Sequence, residues 1–184
     1  MVDLKAGDCL VAPPHCGDNR FKKSVIYLWE HGAAGSAGVV INKPTNHQIK
    51  ELVNGPYCPE HIGRHTMYWG GPVHTNLVFM THSIDYRLPR SNIVNMNMGI
   101  TSDPAMFEEL GENQPNEWRV FFGHSSWAAG QLEGELNGKG PWRPSHSWLV
   151  LKEPSMDWIF NTPTETQWDT AVMACSQQSI ESWF

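Results

Sequence analysis

The chain has 184 residues, 40% of them hydrophobic and 17% charged, with nineteen acids against thirteen lysines and arginines. That length and apolar share suit one domain over residues 1–184, with a closely packed sub-lobe as the variant, and exclude a disordered chain. A net charge of -6 lacks the basic field of a general nucleic-acid binder, and no run approaches the ~18 apolar residues of a membrane span.

Residues 9–12 form an apolar run closed by Pro13 and Pro14 and predict a short strand. Residues 24–29 are β-branched and aromatic and predict a central strand. Residues 32–38 are a Gly/Ala turn region leading into a second strong strand at 37–42, which Lys43-Pro44-Thr45 closes. So short a link predicts a hairpin, since a crossover helix does not fit. Thr45 or Asn46 then caps a helix to about Asn54, with Ile49, Leu52 and Val53 on one face. Residues 55–65 read as a loop. Residues 67–69 and 77–81 are strands flanking a turn at Gly70-Gly71-Pro72, and 93–98 alternate as a further strand. Thr101 or Ser102 caps a helix holding Pro104, Glu108 and Glu109 and ending at Gly111. Residues 118–123 are a strand. Ser125 or Ser126 caps a helix through Leu136, with Trp127, Gly130 and Gly134 on one face. A strand at 148–151 follows, and Pro163 opens a last helix with Trp168, Ala171, Val172 and Cys175 as its stripe. So irregular a mixture predicts α+β rather than a doubly wound sheet.

The charge is unevenly spread. Residues 1–100 carry nine basic and seven acidic groups, whereas residues 101–184 carry four and twelve. Arg20, Lys22 and Lys23 make a small basic patch, too few charges to claim DNA. Cys9, Cys16, Cys58 and Cys175 contain no CxxC pair and predict free thiols in a reducing, cytoplasmic setting. Asp3, Lys5 and Asp8 interrupt the amino terminus, so no secretory leader is expected.

Candidate chemistry is sparse. Cys58, His61 and His65 have C-x2-H-x3-H spacing, but the second ligand pair of a convincing zinc site is missing. The ordinary reading is a polar loop, and no metal or other cofactor is expected. His124, Ser125 and Ser126 lack the G-x-S-x-G of a nucleophile elbow, and the glycines of 32–38 lack a P-loop's Lys-Ser or Lys-Thr. The nine tryptophans chiefly predict core packing, with Trp142, flanked by Gly140, Pro141 and Pro144, the exposed one.

Several blocks resemble the YqgE/AlgH family: Leu10-Val11-Ala12-Pro13, residues 21–31, Gly38-Val39-Val40-Ile41-Asn42-Lys43-Pro44, Gly70-Gly71-Pro72-Val73, residues 77–82, and above all residues 123–136. Asn161-Thr162-Pro163 and Trp168 resemble its closing segment. The resemblance implies a mixed, partly barrel-like or bifurcated sheet flanked by helices, with a small appended lobe. It brings no established catalytic residue or cofactor. One branch of the family has been linked to transcriptional control. Trp29 stands where the family usually has a cysteine, so a redox role does not carry over to that position. Gly123-His124-Ser125-Ser126-Trp127 replaces the family's Gly-Tyr-x-Gly-Trp, and the segment from Asn137 to Trp148 is altered and longer.

The motif blocks nominate Glu30, His31, Asn42, Lys43, Gly70, Gly71, Trp127, Gly130, Gln131 and Glu135 as functional or structural positions. Gln131 is expected to brace the Gly70-Gly71 turn. Antiparallel pairing leaves His31 near the hairpin turn and Lys43 farther off. The expectation is a non-enzymatic binding or regulatory protein, with a protein partner or self-association open to it. Its alternatives are an enzyme with a cleft near His31, Lys43 and Glu135, and a nucleic-acid-associated regulator using Arg20, Lys22 and Lys23.

Overall fold

A computed structural model describes residues 3–53, 58–138 and 148–181. Apolar patterning lays down its first part. Strands β1 (Cys9–Val11), β2 (Val25–Gly32) and β3 (Gly35–Val40) run antiparallel in chain order, and β2 and β3 form a hairpin across Ala33 and Ala34. Side chains alternate along each strand. Cys9, Val11, Val25, Tyr27 and Val39 enter one core, and Leu10, Ala12, Ile26, Leu28 and Val40 enter another. Burial on both faces is why these strands read as unbroken apolar runs.

Next come β4 (Pro44–Gln48), the single turns α1 (Ile49–Leu52) and α2 (Glu60–Gly63), β5 (Thr66–Trp69), β6 (Val73–Ser83), β7 (Asn92–Ile93) and β8 (Met98–Thr101). They are followed by α3 (Met106–Glu112), β9 (Trp118–Ala128), α4 (Gln131–Leu136), β10 (Leu149–Leu151), α5 (Met156–Asn161) and α6 (Thr164–Glu181). The strands join in one curled, half-barrel-like sheet of order β10-β1-β2-β3-β9-β6-β8-β7, with β5 and β4 branching from β9. The pairing of β5 with β9 is parallel, and the other pairings are antiparallel. The fold is therefore α+β with a mixed, bifurcated sheet.

The fork lies on β9. One edge pairs with β6, while the other meets first β5, at Phe121 and Phe122, and then β3, from Ser125 to Ala128. Gly123 marks the changeover with φ +68. Gly70 donates its N–H to the Phe122 carbonyl (3.0 Å) and accepts from the Val40 N–H (2.9 Å). A Cβ on Gly70 would lie 2.3 Å from the Gly123 carbonyl oxygen, and one on Gly71 2.3 Å from the His124 backbone. The backbones meet so closely that only glycine fits.

Among the described residues, three groups of helices cover the sheet. Helices α5 and α6 close the first core with Ile159, Phe160, Ala171 and Cys175. Helix α4 brings Leu132 to the second. Helices α1, α2 and α3 cover the region of β5, β6 and β9, where Ile49, Ile62, Met67, Met80, Met106, Phe107, Leu110 and Val120 form a third core.

Several expected elements are corrected. Residues 44–48 are strand rather than helix, because β5 offers them a partner (Pro44 opposite Tyr68) that local propensity does not announce. The helix there shrinks to one turn, and α2 adds a turn inside the expected loop. The strand expected at 93–98 is two strands, β7 and β8, around a turn in which Asn95 Oδ1 accepts from the N–H groups of Asn97 (2.9 Å) and Met98 (3.0 Å). Helix α3 begins at Met106, since Thr101 stays in β8 and its hydroxyl accepts from the Asp103 N–H (3.2 Å). Ser125 and Ser126 cap nothing: they continue β9, opposite Gly38 and Ala37, and Trp127 is a strand residue. Helix α4 starts only after Gly130, whose φ of +73 turns the chain. Helix α5 was not expected; Ser155 Oγ caps it by accepting from the Trp158 N–H (3.2 Å). Trp142, with Gly140, Pro141 and Pro144, lies outside the described residues.

Candidate functional site

The end of β9 and the start of α4 build a polar cluster. Gly130 reverses the chain, so α4 folds back beside the strand it leaves. Gln131 Oε1 accepts from the Ala128 N–H (3.0 Å) and fastens the helix to the strand. Its Nε2 donates to Glu135 Oε1 (2.9 Å), one helical turn on. Glu135 Oε2 accepts from two indoles, Trp127 Nε1 (3.0 Å) and Trp148 Nε1 (2.8 Å). Glu135 is only 4% exposed, and each tryptophan 7%. Both carboxyl oxygens act as acceptors, the pattern of an ionised carboxylate. Among the described residues no lysine, arginine or histidine forms an ion pair with it.

A hollow of about 190 Å³ opens beside this cluster, walled by Phe21, Ser125, Ser126, Trp127, Glu135 and Trp148, with Asp18 and Arg20 also lining it. Trp148 stands nearly perpendicular to Trp127 (85°, centroids 6.1 Å apart) and to Phe21 (81°, 5.7 Å). Arg20 is bound to Asp18 through Nη2 at 2.7 Å.

A second, more open hollow of about 560 Å³ adjoins the first across Arg20 and is lined by Lys43, Pro44, Thr45, His47, Trp69 and Phe122. Phe21 bridges the two as an aromatic neighbour of both Trp69 (5.9 Å) and Trp148. Lys43 Nζ lies 5.3 Å over the Trp69 ring and donates to the Arg20 carbonyl. Burial pushes its amine below the usual lysine value.

The structure does not gather the whole set of expected residues. Glu135 and Lys43 fall in adjoining hollows, and His31 lines neither. His31 Nδ1 is 2.7 Å from Ser36 Oγ, and its Nε2 is 3.8 Å from Glu133 on the outer side of α4. Glu30 is exposed beside a bulge in β2. Asn42 ties loop to strand, its Oδ1 accepting from the Val25 N–H (2.9 Å) and its Nδ2 donating to the Lys23 carbonyl (2.8 Å). The brace on Gly70 is Ser125, whose Oγ donates to the Gly70 carbonyl (3.2 Å), and not Gln131. His124 packs against Trp29, His74 and Phe79 instead of aligning with a serine nucleophile.

Cys58, His61 and His65 form no metal-ligand group; among the described residues no three His, Cys, Asp or Glu side chains do. The His65 ring packs on Trp118 at 4.7 Å. All four cysteines are free. Burial raises the Cys9 thiol well above its ordinary value and pushes Cys175 up to about 11, so both act as core hydrophobes. Of Arg20, Lys22 and Lys23, Arg20 is held by Asp18 and Lys23 lies 5.3 Å over Trp168. Among the described residues no helix is long and apolar enough to cross a membrane. Sequence reasoning missed the aromatic walls Phe21, Trp69 and Trp148, whose partners are distant in the chain.

The cluster falls inside the segment that a family model described as AlgH-like matches, residues 9–179. The chain belongs to the AlgH-like family. Relatives in that family include a UPF0301 protein of Marinomonas sp. (strain MWYL1), 32% identical over 166 residues, covering 88% of this chain and 84% of its own. Another, from Pseudoalteromonas translucida, is 33% identical and covers 89% and 86% respectively. The solution structure of the AlgH protein from Pseudomonas aeruginosa superposes with a TM-score of 0.75 at 25% identity, over 95% of this chain and 90% of that one. A protein from Corynebacterium diphtheriae shares the fold with a TM-score of 0.70 at 22% identity, over 94% of this chain and 87% of that one. The overall fold is thus shared with these two solved structures.

Proposed function

We propose that this AlgH-like protein is a non-enzymatic, regulatory binding protein that takes a small ligand in the hollow beside Glu135. One observation carries the reading: the polar groups of Trp127, Gln131, Glu135 and Trp148 are spent on one another, as in a rigid wall. An enzyme needs a nucleophile or base within reach of a reacting atom and an orienting group behind it. Here the Ser125 hydroxyl is committed to Gly70, the Lys43 amine to the Arg20 carbonyl, and His31 to Ser36. The pairing of Arg20 with Asp18 and the net charge of -6 weigh against nucleic acid as the partner. Four unpaired thiols support a reducing, cytoplasmic location. The shared strand β9 supports reading residues 1–184 as one domain, with the helices α1, α2 and α3 over its sub-lobe.

Equilibrium dialysis against a defined mixture of amines, amino acids, sugar phosphates and nucleotides tests this, with both compartments read by mass spectrometry. The expected result is near-stoichiometric retention of one compound class in unchanged form. Consumption of a compound with appearance of a product overturns the proposal, and so does retention of nothing.

A further inference from the structure

We infer that the hollow beside Glu135 is an aromatic cage for a quaternary ammonium head group. This rests on the binding reading above and names its ligand class. Three features point the same way.

The first is charge. Glu135 is a buried acceptor whose hydrogen-bond partners among the described residues are all neutral: two indole N–H groups and one amide. Buried charge is normally matched by opposite charge. Among the described residues, the charged groups that line the hollow besides Glu135 are Asp18 and Arg20, and Arg20 pairs with Asp18. A cation in the hollow would supply Glu135 with the counter-charge that the described residues do not.

The second is the walls. Trp148 stands nearly perpendicular to both Phe21 and Trp127, and all three rings line the space. Aromatic rings attract cations through their quadrupole, tryptophan most strongly, and aromatic cages are the usual recognition device for quaternary ammonium ligands. The hollow of about 190 Å³ has room for a trimethylammonium head and part of its stem.

The third separates a quaternary from a primary ammonium. A carboxylate offers about four lone-pair positions. Three at Glu135 are already taken by Trp127, Trp148 and Gln131. A primary ammonium brings three N–H donors that each need an acceptor. Ser125 Oγ donates to Gly70 and can still accept, so a primary ammonium would have to share the lone pairs of the Ser125 and Ser126 hydroxyls and the one position left on Glu135. A quaternary head brings no N–H group and asks only for charge and ring faces.

The test titrates choline into the 15N-labelled full chain and follows the indole N–H signals of Trp127 and Trp148. Its uncharged carbon isostere, 3,3-dimethylbutan-1-ol, and ethanolamine serve as controls. Saturable shifts of both indole signals are expected with choline, with at least tenfold weaker binding of the isostere and of ethanolamine. Glu135→Gln, checked for folding by its amide spectrum, is expected to weaken choline at least tenfold. If that variant fails to fold, Trp148→Phe takes its place: it keeps a ring wall, so choline still binds while the isostere stays weak. The proposal falls if choline shifts neither indole, if the isostere or ethanolamine binds as well as choline, or if folded Glu135→Gln binds choline unchanged. Retention of a different compound class in the dialysis, without choline binding here, would leave the binding reading standing and remove the cage.

Discussion

Arg119 carries a charge into the interior of β9 and spends it on backbone. Its Nη1 donates to the Ile41 carbonyl (2.7 Å) and its Nη2 to the Phe160 carbonyl (3.0 Å), while the guanidinium stacks 4.4 Å over the Tyr68 ring. One side chain thereby joins the end of β3 to α5 and to β5. Burial lowers its pKa, yet a guanidinium stays charged throughout the working range. Arg119→Met keeps the stem and strands both carbonyls, so it is expected to lower unfolding stability by about 2–4 kcal/mol in urea titrations. Arg119→Lys recovers little of this, because a single ammonium cannot span two diverging acceptors; a lysine variant as stable as the parent would contradict the clamp. Only a charge inside an apolar strand signalled this residue in the sequence, and the acceptors lie far away in the chain. Asn42 was more legible, because an asparagine closing a strand has few uses besides tying a loop. Trp148 illustrates the limit. Its indole reaches Glu135 from another element, and no local pattern records a contact of that kind.

The fork makes its own demands at the level of elements. Gly71→Ala would push a Cβ to 2.3 Å from the His124 backbone at a φ of +151, and Gly123→Ala to 2.4 Å from the Gly71 carbonyl oxygen. Neither neighbour is a flexible side-chain tip, so β9 and the β5–β6 turn must separate. Each change is expected to cost about 2–4 kcal/mol, above the ~1–3 kcal/mol of a strained backbone alone, since hydrogen bonds at the fork go with it. Gly130→Ala, with open space around it, faces only its left-handed φ and should lose about 1–2 kcal/mol. Gly32→Ala meets nothing within 4 Å and should be close to neutral. Thermal melts of the four variants read the ranking, and equal losses at Gly71 and Gly32 would contradict the crowding argument. The glycine turn at 70–71 was visible in the sequence, but the fork was not. Strands β1, β2 and β3 were legible because each is apolar on both faces and its neighbours follow in order. The second half of β9 read as helix because Gly123, two serines and a Gly-Gln-Leu-Glu run look like a cap and its helix. Its true partner, β3, comes from the other end of the chain, and pairing with it overrides local preference.

At the scale of the whole molecule, acid is the lever that the buried histidines provide. His82 is fully buried, with Nδ1 2.8 Å from the Ser83 carbonyl and Nε2 2.7 Å from Ser91 Oγ. Nδ1 must donate to the carbonyl, and Nε2 accepts from the hydroxyl, so the fold holds the neutral ring. Gly99 gives it room; a Cβ there would lie 2.8 Å from the ring. Burial pushes the His82 pKa below its ordinary 6.5, against opposing pulls from the Ser83 carbonyl and Asp85. His124 is likewise lowered, by burial and by neighbouring His74, with the Val73 backbone pulling the other way. In the unfolded chain both rings take up protons near pH 6.5, before the folded rings do. Their contribution is therefore fully present above about pH 6.5 and is lost as the pH falls from there through the folded values. Each ring can add a slope of at most about 1.4 kcal/mol per pH unit. The lowered carboxyls of Glu51 and Glu153 have an ordinary value of 4.5, so their losses come at lower pH and leave the upper window to the histidines. The urea midpoint is expected to fall between pH 7 and pH 5.5. His82→Gln should start less stable at pH 7 and show a shallower fall across the same interval. A midpoint that holds steady or rises on acidification, or an unchanged slope in His82→Gln, would mean that His82 accepts its proton in the fold as readily as in the open chain.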